Sequence, residues 1–332
     1  MILKLLTHIS RILVGLLFIY SGFVKLVDPI GSQYKFQEYF SADVLNLEFL
    51  IPFALPFAIL LIVAELVLGV MLLVGYKPKF TVWSLFGLNL IFLFLTWYSY
   101  TYNKVTDCGC FGDAVKLTPK ETFYKNVIFM VFIVILILGL RYIKPLISEK
   151  LASVSTFVSA FLSLVIAYYV LQHLPIIDFR AYAVGTDIAE GMKFKNGEEP
   201  KIHDFEIGTV DGDKLEEMLS KEKAMLILVP TIEKAEKEGL HQVSKAASKA
   251  KEKGYEIYVL TADMMMADVI YEENFDQLNA FKKEYNLPYT FGSCDEKALK
   301  TAVRANPGII TVENGVVKGK WNWTDADDVE LN

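Results

Sequence analysis

Five long apolar segments dominate the first half of the sequence. A hydrocarbon core about 30 Å thick is crossed by about 20 apolar residues in a helix, because no water is present there to satisfy an open backbone. The sequence therefore predicts five transmembrane helices. The first segment is too long for a cleaved signal peptide and lacks a small-residue cleavage site, so we interpret it as a retained helix. The segments are approximately Ile2–Val27, Phe49–Tyr76, Phe80–Thr101, Phe123–Leu140 and Val154–Leu174.

Charge divides the chain into two halves. Residues 1–174 carry a net charge of +4 and residues 175–332 a net charge of −10, although 53% of the whole chain is hydrophobic. This split predicts a membrane half followed by an acidic α/β half and excludes one soluble core. The acidic half would repel phosphates, so we expect no nucleic-acid partner. The predicted boundaries are a four-helix membrane domain at 1–148, a fifth helix at 149–175, a connector at 176–203, an α/β domain at 204–324 and an acidic tail at 325–332.

The basic residues that flank the apolar segments predict the orientation. Short loops on the cytoplasmic side of a membrane are enriched in Lys and Arg. With the N-terminus inside, the short inner flanks carry most of the basic residues, and an odd number of helices places residues 175–332 outside. In a bacterium this arrangement corresponds to an inner-membrane protein with a periplasmic C-terminal domain. The inner basic residues are Lys4, Arg11, Lys77, Lys79, Arg141, Lys144 and Lys150.

Glu65 is an acid deep inside the second apolar segment. A carboxylate at that depth is costly, so it is expected to face the bundle interior with a partner. Counting about 1.5 Å per residue from the outer ends of the first two segments places Arg11 at a similar depth. We therefore predict a Glu65–Arg11 pair that fixes helix register, with a proton relay as the alternative. Asn89 in the third segment is expected to form an interhelical hydrogen bond.

Two cysteines separated by one glycine lie in the outer loop between the third and fourth segments. Cys108 and Cys110 would close only a small, strained ring, and such a disulfide is easily reduced. We interpret them as a candidate redox pair, with a loop-bracing disulfide as the alternative. Lys25, at the outer end of the first segment, is a candidate for stabilising the thiolate. No zinc site is expected, because the histidines show no ligand spacing: they are His8, His173, His203 and His241.

Three strings in the membrane half resemble the DoxX/MauE group of membrane proteins. They are Ser21–Pro29, Glu65–Gly69 and Cys108–Gly112, and they occur in the expected order. The resemblance implies a four-helix bundle associated with redox or electron-transfer proteins. By distant analogy to vitamin K epoxide reductase, it also implies a quinone partner. The sequence departs from that enzyme type by having Cys-x-Cys in place of Cys-x-x-Cys.

The second half alternates short strands with amphipathic helices, which predicts a sheet covered on both faces by helices. Asn314–Gly315 supplies a tight turn between the last two strands. The predicted strands are Phe205–Val210, Ala224–Val229, Glu256–Leu260, Tyr289–Phe291, Ile309–Val312 and Val316–Trp321. The predicted helices are Lys214–Ser220, a long one whose buried face runs from Ile232 to Ala250, Phe275–Tyr285 and Glu296–Arg304.

This order of elements resembles a thioredoxin-like domain over residues 203–323. The resemblance is carried by Ala224–Val229 before a long helix and by Asn306–Gly308 before the final hairpin, and it implies that Pro307 is a cis-proline. A thioredoxin's nucleophile follows the central strand, but Pro230–Ala235 contains no cysteine. The domain is therefore expected to bind a partner and not to exchange thiols. Cys294 is expected to be a buried free thiol, with pairing to Cys108 or Cys110 as the alternative.

Together these features predict an inner-membrane protein that supports thiol–disulfide or electron transfer in the bacterial envelope. Membrane lipids and a periplasmic or membrane protein are the expected partners, and no cofactor is evident beyond the quinone that the resemblance implies. A non-enzymatic membrane scaffold is one alternative. A binder of small molecules or lipids within the bundle, to which Glu65 points, is the other.

Overall fold

The computed structural model describes residues 1–105, 109–115, 117–194, 197, 199–209, 211–263 and 272–332, without the side chains of 272–277. These residues form two compact units, Met1–Leu171 and Gln172–Asn332. The helices of the first unit are α1 (Ile2–Val27), α2 (Pro29–Phe40), α3 (Ala54–Val74), α4 (Pro78–Tyr102), α5 (Pro119–Leu138) and α6 (Glu149–Gln172). A 3₁₀ turn, Glu48–Phe53, precedes α3.

The first unit is a helix bundle. Five helical stretches in its described part are long and apolar enough to cross a membrane: α1, Glu48–Val74, α4, α5 and α6. This finding confirms the predicted membrane class. Their ends follow local signals, since prolines occupy the first helical position of α4 and α5, a capping box at Thr118 starts α5, and Gly75 ends α3 in the left-handed conformation. The short helix α2 packs on α3, where Phe36 and Phe40 contact Phe57.

Glycines allow α1 and α3 to pack closely. A Cβ atom on Gly69 would lie 2.9 Å from the carbonyl oxygen of Gly15, and one on Gly22 would lie 3.2 Å from the Cβ of Glu65. Neither contact is compatible with a larger residue unless the helices separate. Small residues at such crossings are typical of membrane helices, because they let two backbones approach. The packing fixes the relative register of the two helices, with Glu65 level with Gly22.

This register contradicts the predicted Glu65–Arg11 pair. Arg11 lies 11 residues before Gly22 on α1, about 16 Å along the helix. Its guanidinium instead donates hydrogen bonds to the main-chain carbonyls of Leu72 (2.9 Å), Leu73 (2.8 Å) and Lys144 (3.0 Å). Arg11 therefore supplies additional donors to carbonyls in the last turn of α3. The depth count was wrong because it aligned the outer ends of two helices that are offset along their axes.

The second unit is built on a mixed sheet. In its described residues the strand order is β2-β1-β5-β4-β3-β6-β7, with β3, β4 and β5 parallel and β6 and β7 antiparallel to their neighbours. The strands are β1 (Gly208–Thr209), β2 (Gly212–Asp213), β3 (Ala224–Val229), β4 (Glu256–Thr261), β5 (Thr290–Ser293), β6 (Gly308–Glu313) and β7 (Val316–Asn322). The helices are α7 (Ile188–Gly191), α8 (Leu215–Ser220), α9 (Lys237–Glu252), α10 (Glu272–Glu284) and α11 (Glu296–Ala302).

Strand β3 is the centre of this unit, and all six of its residues are buried. Leu226 and Leu228 belong to the core on one face of the sheet, and Met225 and Ile227 to the core on the other. A strand covered on both faces appears in sequence as a continuous apolar run. The predicted α/β class, the limits of β3 and the closing hairpin are thereby confirmed.

Three sequence-based boundaries differ from the structure. The long helix begins at Lys237 and not near Ile232, because the residue before it, Glu236, has an extended backbone conformation (φ −68°, ψ 116°). The described residues of the expected connector, 176–203, belong to the folded unit, since Tyr182, Ile188 and Ile202 lie in its core. The expected acidic tail is not a free tail either. Trp323–Asp328 forms a 3₁₀ helix, and its Ala326 is buried in the core that α9 covers.

Strand β7 carries a buried lysine, Lys320, which pairs with a residue of the expected connector. The Lys320 Nζ atom is 2.5 Å from the Asp178 carboxylate, which also accepts hydrogen bonds from Arg180. Burial lowers the pKa of Lys320 to about 7; the charges of Arg180 and Arg304 act in the same direction, and Asp178 opposes them. The neutral amine is therefore favoured in the folded state more than in the unfolded chain.

Lys320 is expected to make stability depend on pH. Between about pH 7 and 10 the unfolded chain holds a proton that the folded chain lacks, so the free energy of unfolding rises with pH, by at most about 1.4 kcal/mol per pH unit. Lys320→Met should remove this slope, because Asp178 keeps Arg180 as a partner. Thermal unfolding of the full chain from pH 7 to 10 measures it. Lys318→Met is the control, since Lys318 lies on the same strand with 47% of its side chain exposed. Equal slopes in the two variants would contradict this assignment.

Candidate functional site

The candidate site is built around Lys25, a buried cation at the last turn of α1. Its ammonium lies 2.9 and 3.1 Å from the two carboxylate oxygens of Glu65 on α3. The side chains are only 5% and 1% exposed, so water contributes little to their solvation. A buried carboxylate or ammonium without a partner is strongly unfavourable, and this pair neutralises both. Glu65 thus faces the bundle interior with a partner, as expected, but the partner is Lys25.

The same ammonium holds the cysteine-bearing loop. Lys25 Nζ donates to the main-chain carbonyl of Cys110 at 2.7 Å and to the hydroxyl of Ser21 at 2.6 Å. Ser21 lies one helical turn before Lys25, and its hydroxyl donates to the same Cys110 carbonyl at 2.9 Å. One backbone oxygen therefore accepts two hydrogen bonds from the end of α1. These bonds fix the backbone of Cys110 through its carbonyl and leave its sulfur out of the network.

The loop between α4 and α5 is shaped by glycine and one aromatic residue. Gly109 (φ +63°) and Gly112 (φ +51°) both adopt the left-handed region that favours glycine. A Cβ atom on Gly109 would lie 2.8 Å from the Lys35 side chain on α2, which covers the loop there. Phe111 is buried against the Tyr20 ring, and the ammonium of Lys125 lies 4.4 Å from the centre of its ring. The segment Gly109–Gly112 thus turns tightly and is anchored by its phenylalanine.

The structure describes only one of the two cysteines of the predicted redox pair. Cys110 is a half-buried free thiol. Cys108 lies outside the described residues. Among the described contacts, Lys25 is hydrogen-bonded to the Cys110 carbonyl and not to its sulfur, so the expected role of Lys25 as a thiolate stabiliser stays a prediction. What the contacts assign to Lys25 is the positioning of the loop backbone.

A pocket lies beside this network, within the bundle. It is lined by residues of α1 to α5 and by Gly109 and Cys110 of the loop. Most of its wall is apolar and comes from residues such as Phe18, Phe36, Leu61 and Phe92. Its polar lining residues include Ser21, Lys25, Glu65, Asn89, Thr96 and Asn126. The pocket therefore offers apolar contact area together with a few polar groups, which is the usual composition of a small-molecule site.

Two asparagines join α4 to α5 at the pocket wall. The Asn89 amide donates to the main-chain carbonyl of Asn126 (3.2 Å), and the Asn126 amide donates to the Thr96 hydroxyl (3.2 Å). The expected interhelical hydrogen bond of Asn89 is confirmed. Sequence reasoning missed Asn126, although a polar residue inside an apolar segment was the available signal. It also missed Lys25 as the partner of Glu65, although Lys25 lies within the first segment.

The second unit contains the remaining candidate residues, Pro307 and Cys294. The Asn306–Pro307 peptide bond is cis, the conformation that the resemblance implied for Pro307. The Asn306 amide donates to the carbonyl of Thr231, in the segment that follows β3 (2.8 Å). That segment, residues 230–236, holds no cysteine. Cys294 is fully buried in the core, and burial raises the pKa of its thiol to about 12. This thiol is therefore inert under physiological conditions.

The helices α1 to α5, the buried pair and the loop together form a recognisable membrane module. Residues 3–139 match the protein family described as methylamine utilisation protein MauE. The match contains the whole candidate site and confirms the MauE part of the expected resemblance. Together with the helices that are long and apolar enough to cross a membrane, this match supports a bacterial membrane protein whose residues 3–139 are similar to that family. The chain matches no curated protein and no solved structure.

The buried pair of the MauE-like unit is expected to dominate its stability. Lys25→Met leaves Glu65 buried without a partner and should lower the free energy of unfolding by about 3–5 kcal/mol. The double variant Lys25→Met/Glu65→Leu should lose less than the single variant, because no buried charge remains. Unfolding of the purified protein in a denaturing detergent, followed by circular dichroism, measures these differences.

Lys35→Met is the matched control for this experiment. Lys35 forms a partly exposed pair with Glu38, worth at most about 1 kcal/mol, and methionine keeps the stem that covers Gly109. If Lys25→Met is no more destabilising than Lys35→Met, the central role assigned to the buried pair is wrong.

Proposed function

We propose that this protein is a thiol–disulfide redox protein of the bacterial inner membrane in which Cys108 and Cys110 form the exchanging pair. The observation that carries the proposal is the double anchoring of the Cys110 carbonyl by Lys25 and Ser21. A loop that only needs bracing is adequately held by a disulfide. Here the backbone is held by buried hydrogen bonds, so the loop keeps its position whether the sulfurs are joined or separate.

The proposed exchange follows ordinary thiol chemistry. A thiolate of a reduced partner protein attacks one sulfur of the Cys108–Cys110 disulfide, forming a mixed disulfide and releasing the other cysteine as a thiolate. The partner's second thiolate then attacks the mixed disulfide. The partner leaves with a new disulfide, and the pair is left as two thiols after taking up two electrons and two protons. The glycine between the cysteines gives the backbone the freedom to bring the sulfurs together.

The proposed topology places this chemistry in the oxidising compartment. The basic residues of the short flanks favour a cytoplasmic N-terminus. With five membrane crossings, the cysteine loop and the C-terminal domain then both lie in the periplasm. Disulfide exchange is sustained there, whereas the cytosol keeps thiols reduced.

The C-terminal domain is proposed to be a thioredoxin-like binding domain without its own exchange chemistry. Its support is the order of β3, α9, β4, β6 and β7, with Pro307 before β6. The segment after β3 has no thiol, and Cys294 is buried. We infer that the domain recognises a periplasmic or membrane protein and that electrons pass only through the MauE-like unit.

A quinone is the proposed acceptor for the reduced pair. The pocket reaches Cys110 and has an apolar wall suited to a lipid-soluble molecule. The Asn126 amide at its wall has a second N–H besides the one that binds Thr96, and it is a donor of the kind that binds a quinone carbonyl. Two thiols give two electrons and two protons to the quinone, which leaves as quinol, and a disulfide forms. Over a full cycle, one partner dithiol and one quinone become one partner disulfide and one quinol.

The exchanging pair is tested by its thiol reactivity. In the purified protein, Cys108 and Cys110 should change together between labelled and unlabelled states as glutathione buffers move from about −320 to −120 mV. Cys294 should react with maleimide only after unfolding, because its thiol is buried. Mass shifts on a maleimide–polymer gel count the free thiols at each potential.

Single-cysteine variants give the cellular readout. Cys108→Ser and Cys110→Ser should each lose envelope redox function, and at least one should trap a mixed disulfide. Cys294→Ser is the control and should behave as the unaltered protein. A Cys108–Cys110 bond that never opens over this range of potentials, or full function in the double serine variant, would favour the scaffold interpretation instead.

The acceptor is tested separately. Mixing the reduced protein with a short-chain benzoquinone under anaerobic conditions should yield one quinol per disulfide, read from ultraviolet absorbance. Asn126→Leu should slow this step about tenfold, the loss expected when one hydrogen bond of about 1.4 kcal/mol is removed, while the glutathione titration of the pair stays unchanged. Gly87→Leu is the control, because a side chain there meets nothing within 4 Å. Equal quinol rates in wild type and Asn126→Leu would exclude this pocket as the acceptor site.

A further inference from the structure

The second unit carries its exposed large apolar side chains on one short stretch of chain. Among the residues that the structure describes from 172 onward, every such side chain falls between 176 and 194. Elsewhere in the described residues of this unit, the large apolar side chains are buried or only partly exposed. We use the name apolar rim for four of these residues. They are Ile176, Ile177, Phe179 and Val184, which are 59%, 42%, 42% and 61% exposed.

The rim is held along one edge of the sheet. The segment that carries it runs antiparallel to the edge strand β7, from the carbonyl of His173, which accepts from Asn322, to Gly185, whose amide donates to Val317 (2.8 Å). Between these points Asp178 pairs with Lys320. Tyr182, within the same segment, is buried in the core. The rim residues are therefore exposed on a well-anchored segment.

The rim presents no uncompensated charge. Asp178 and Arg180 are the charged residues between 174 and 186, and they form an ion pair with N–O distances of 2.7 and 3.0 Å. The Arg180 side chain is only 2% exposed. The exposed side chains of this segment are apolar, and its two charged side chains neutralise each other. Such a surface suits a medium that is poor in water. Contiguous exposed apolar residues on a soluble surface usually mark an interaction site.

Chain connectivity indicates which surface is available. The membrane-spanning helix α6 ends at Gln172, and Ile176 follows four residues later, at most about 14 Å away along an extended chain. The headgroup layer is about 5–8 Å thick on each side of the hydrocarbon core. The start of the rim is thus tethered within reach of the lipid leaflet from which α6 emerges.

We propose that the apolar rim is a lipid-docking surface that inserts into the headgroup region of this leaflet. The rim thereby keeps residues 176–184 in contact with lipid. This inference does not depend on the proposed redox function, because it follows from the exposed residues and from their position after α6. It also holds for either orientation of the chain in the membrane.

Depth-dependent quenching in the full chain tests the proposal. Phe179→Cys and Val184→Cys, each in a background with the three native cysteines changed to serine, are labelled with an environment-sensitive fluorophore. The protein is placed in phosphatidylcholine nanodiscs, one chain per disc. Lipids that carry a doxyl quencher near the headgroup should reduce the fluorescence at both positions at least twofold. Lys253→Cys, an exposed control position just after α9, should show no quenching.

Each possible result supports or overturns lipid docking by the apolar rim. Circular dichroism and elution volume first establish that every variant is folded. Absence of quenching at both rim positions would overturn the proposal. Equal quenching at Lys253→Cys would overturn it too, since a domain that touches lipid from every side has no docking surface. Emission at the rim that is insensitive to doxyl lipid but changes when two chains share a disc would assign the rim to contact between copies instead.

Discussion

The ion pair between Lys25 and Glu65 is the interaction on which the membrane unit depends. Two charges are buried where neither is stable alone, so α1 and α3 must bring them within hydrogen-bond distance. The ammonium has donors left after binding the carboxylate, and it uses them on Ser21 and on the Cys110 carbonyl. One buried cation therefore ties two membrane helices to the cysteine-bearing loop.

That pair is itself set by the packing of small residues. At Gly22 and Gly69 no Cβ atom separates the helices, so α1 and α3 come into close contact. This contact determines which residues of the two helices lie at the same height along the helix axes. Arg11, displaced by several turns, serves the carbonyls at the end of α3. The pocket lies beside this pair, where α1 to α5 enclose a space lined by apolar and polar side chains.

The two units divide the available chemistry between them. In the α/β unit the Cys294 thiol is buried, and the segment that follows β3, residues 230–236, holds no cysteine. The membrane unit holds the half-buried Cys110 beside a pocket. This division is the basis on which we propose recognition in one unit and electron transfer in the other.

The sequence by itself determined the elements. Long apolar segments predict membrane helices, the continuous run Ala224–Val229 predicts a doubly covered strand, and Asn314–Gly315 predicts the closing hairpin, because each signal is local to a few turns of chain. The partner of Glu65, the role of Asn126 and the burial of Tyr182, Ile188 and Ile202 were decided only by the tertiary structure. Axial offsets between helices and contacts across a sheet edge depend on how distant segments pack, and residue counting along one segment contains no information about them.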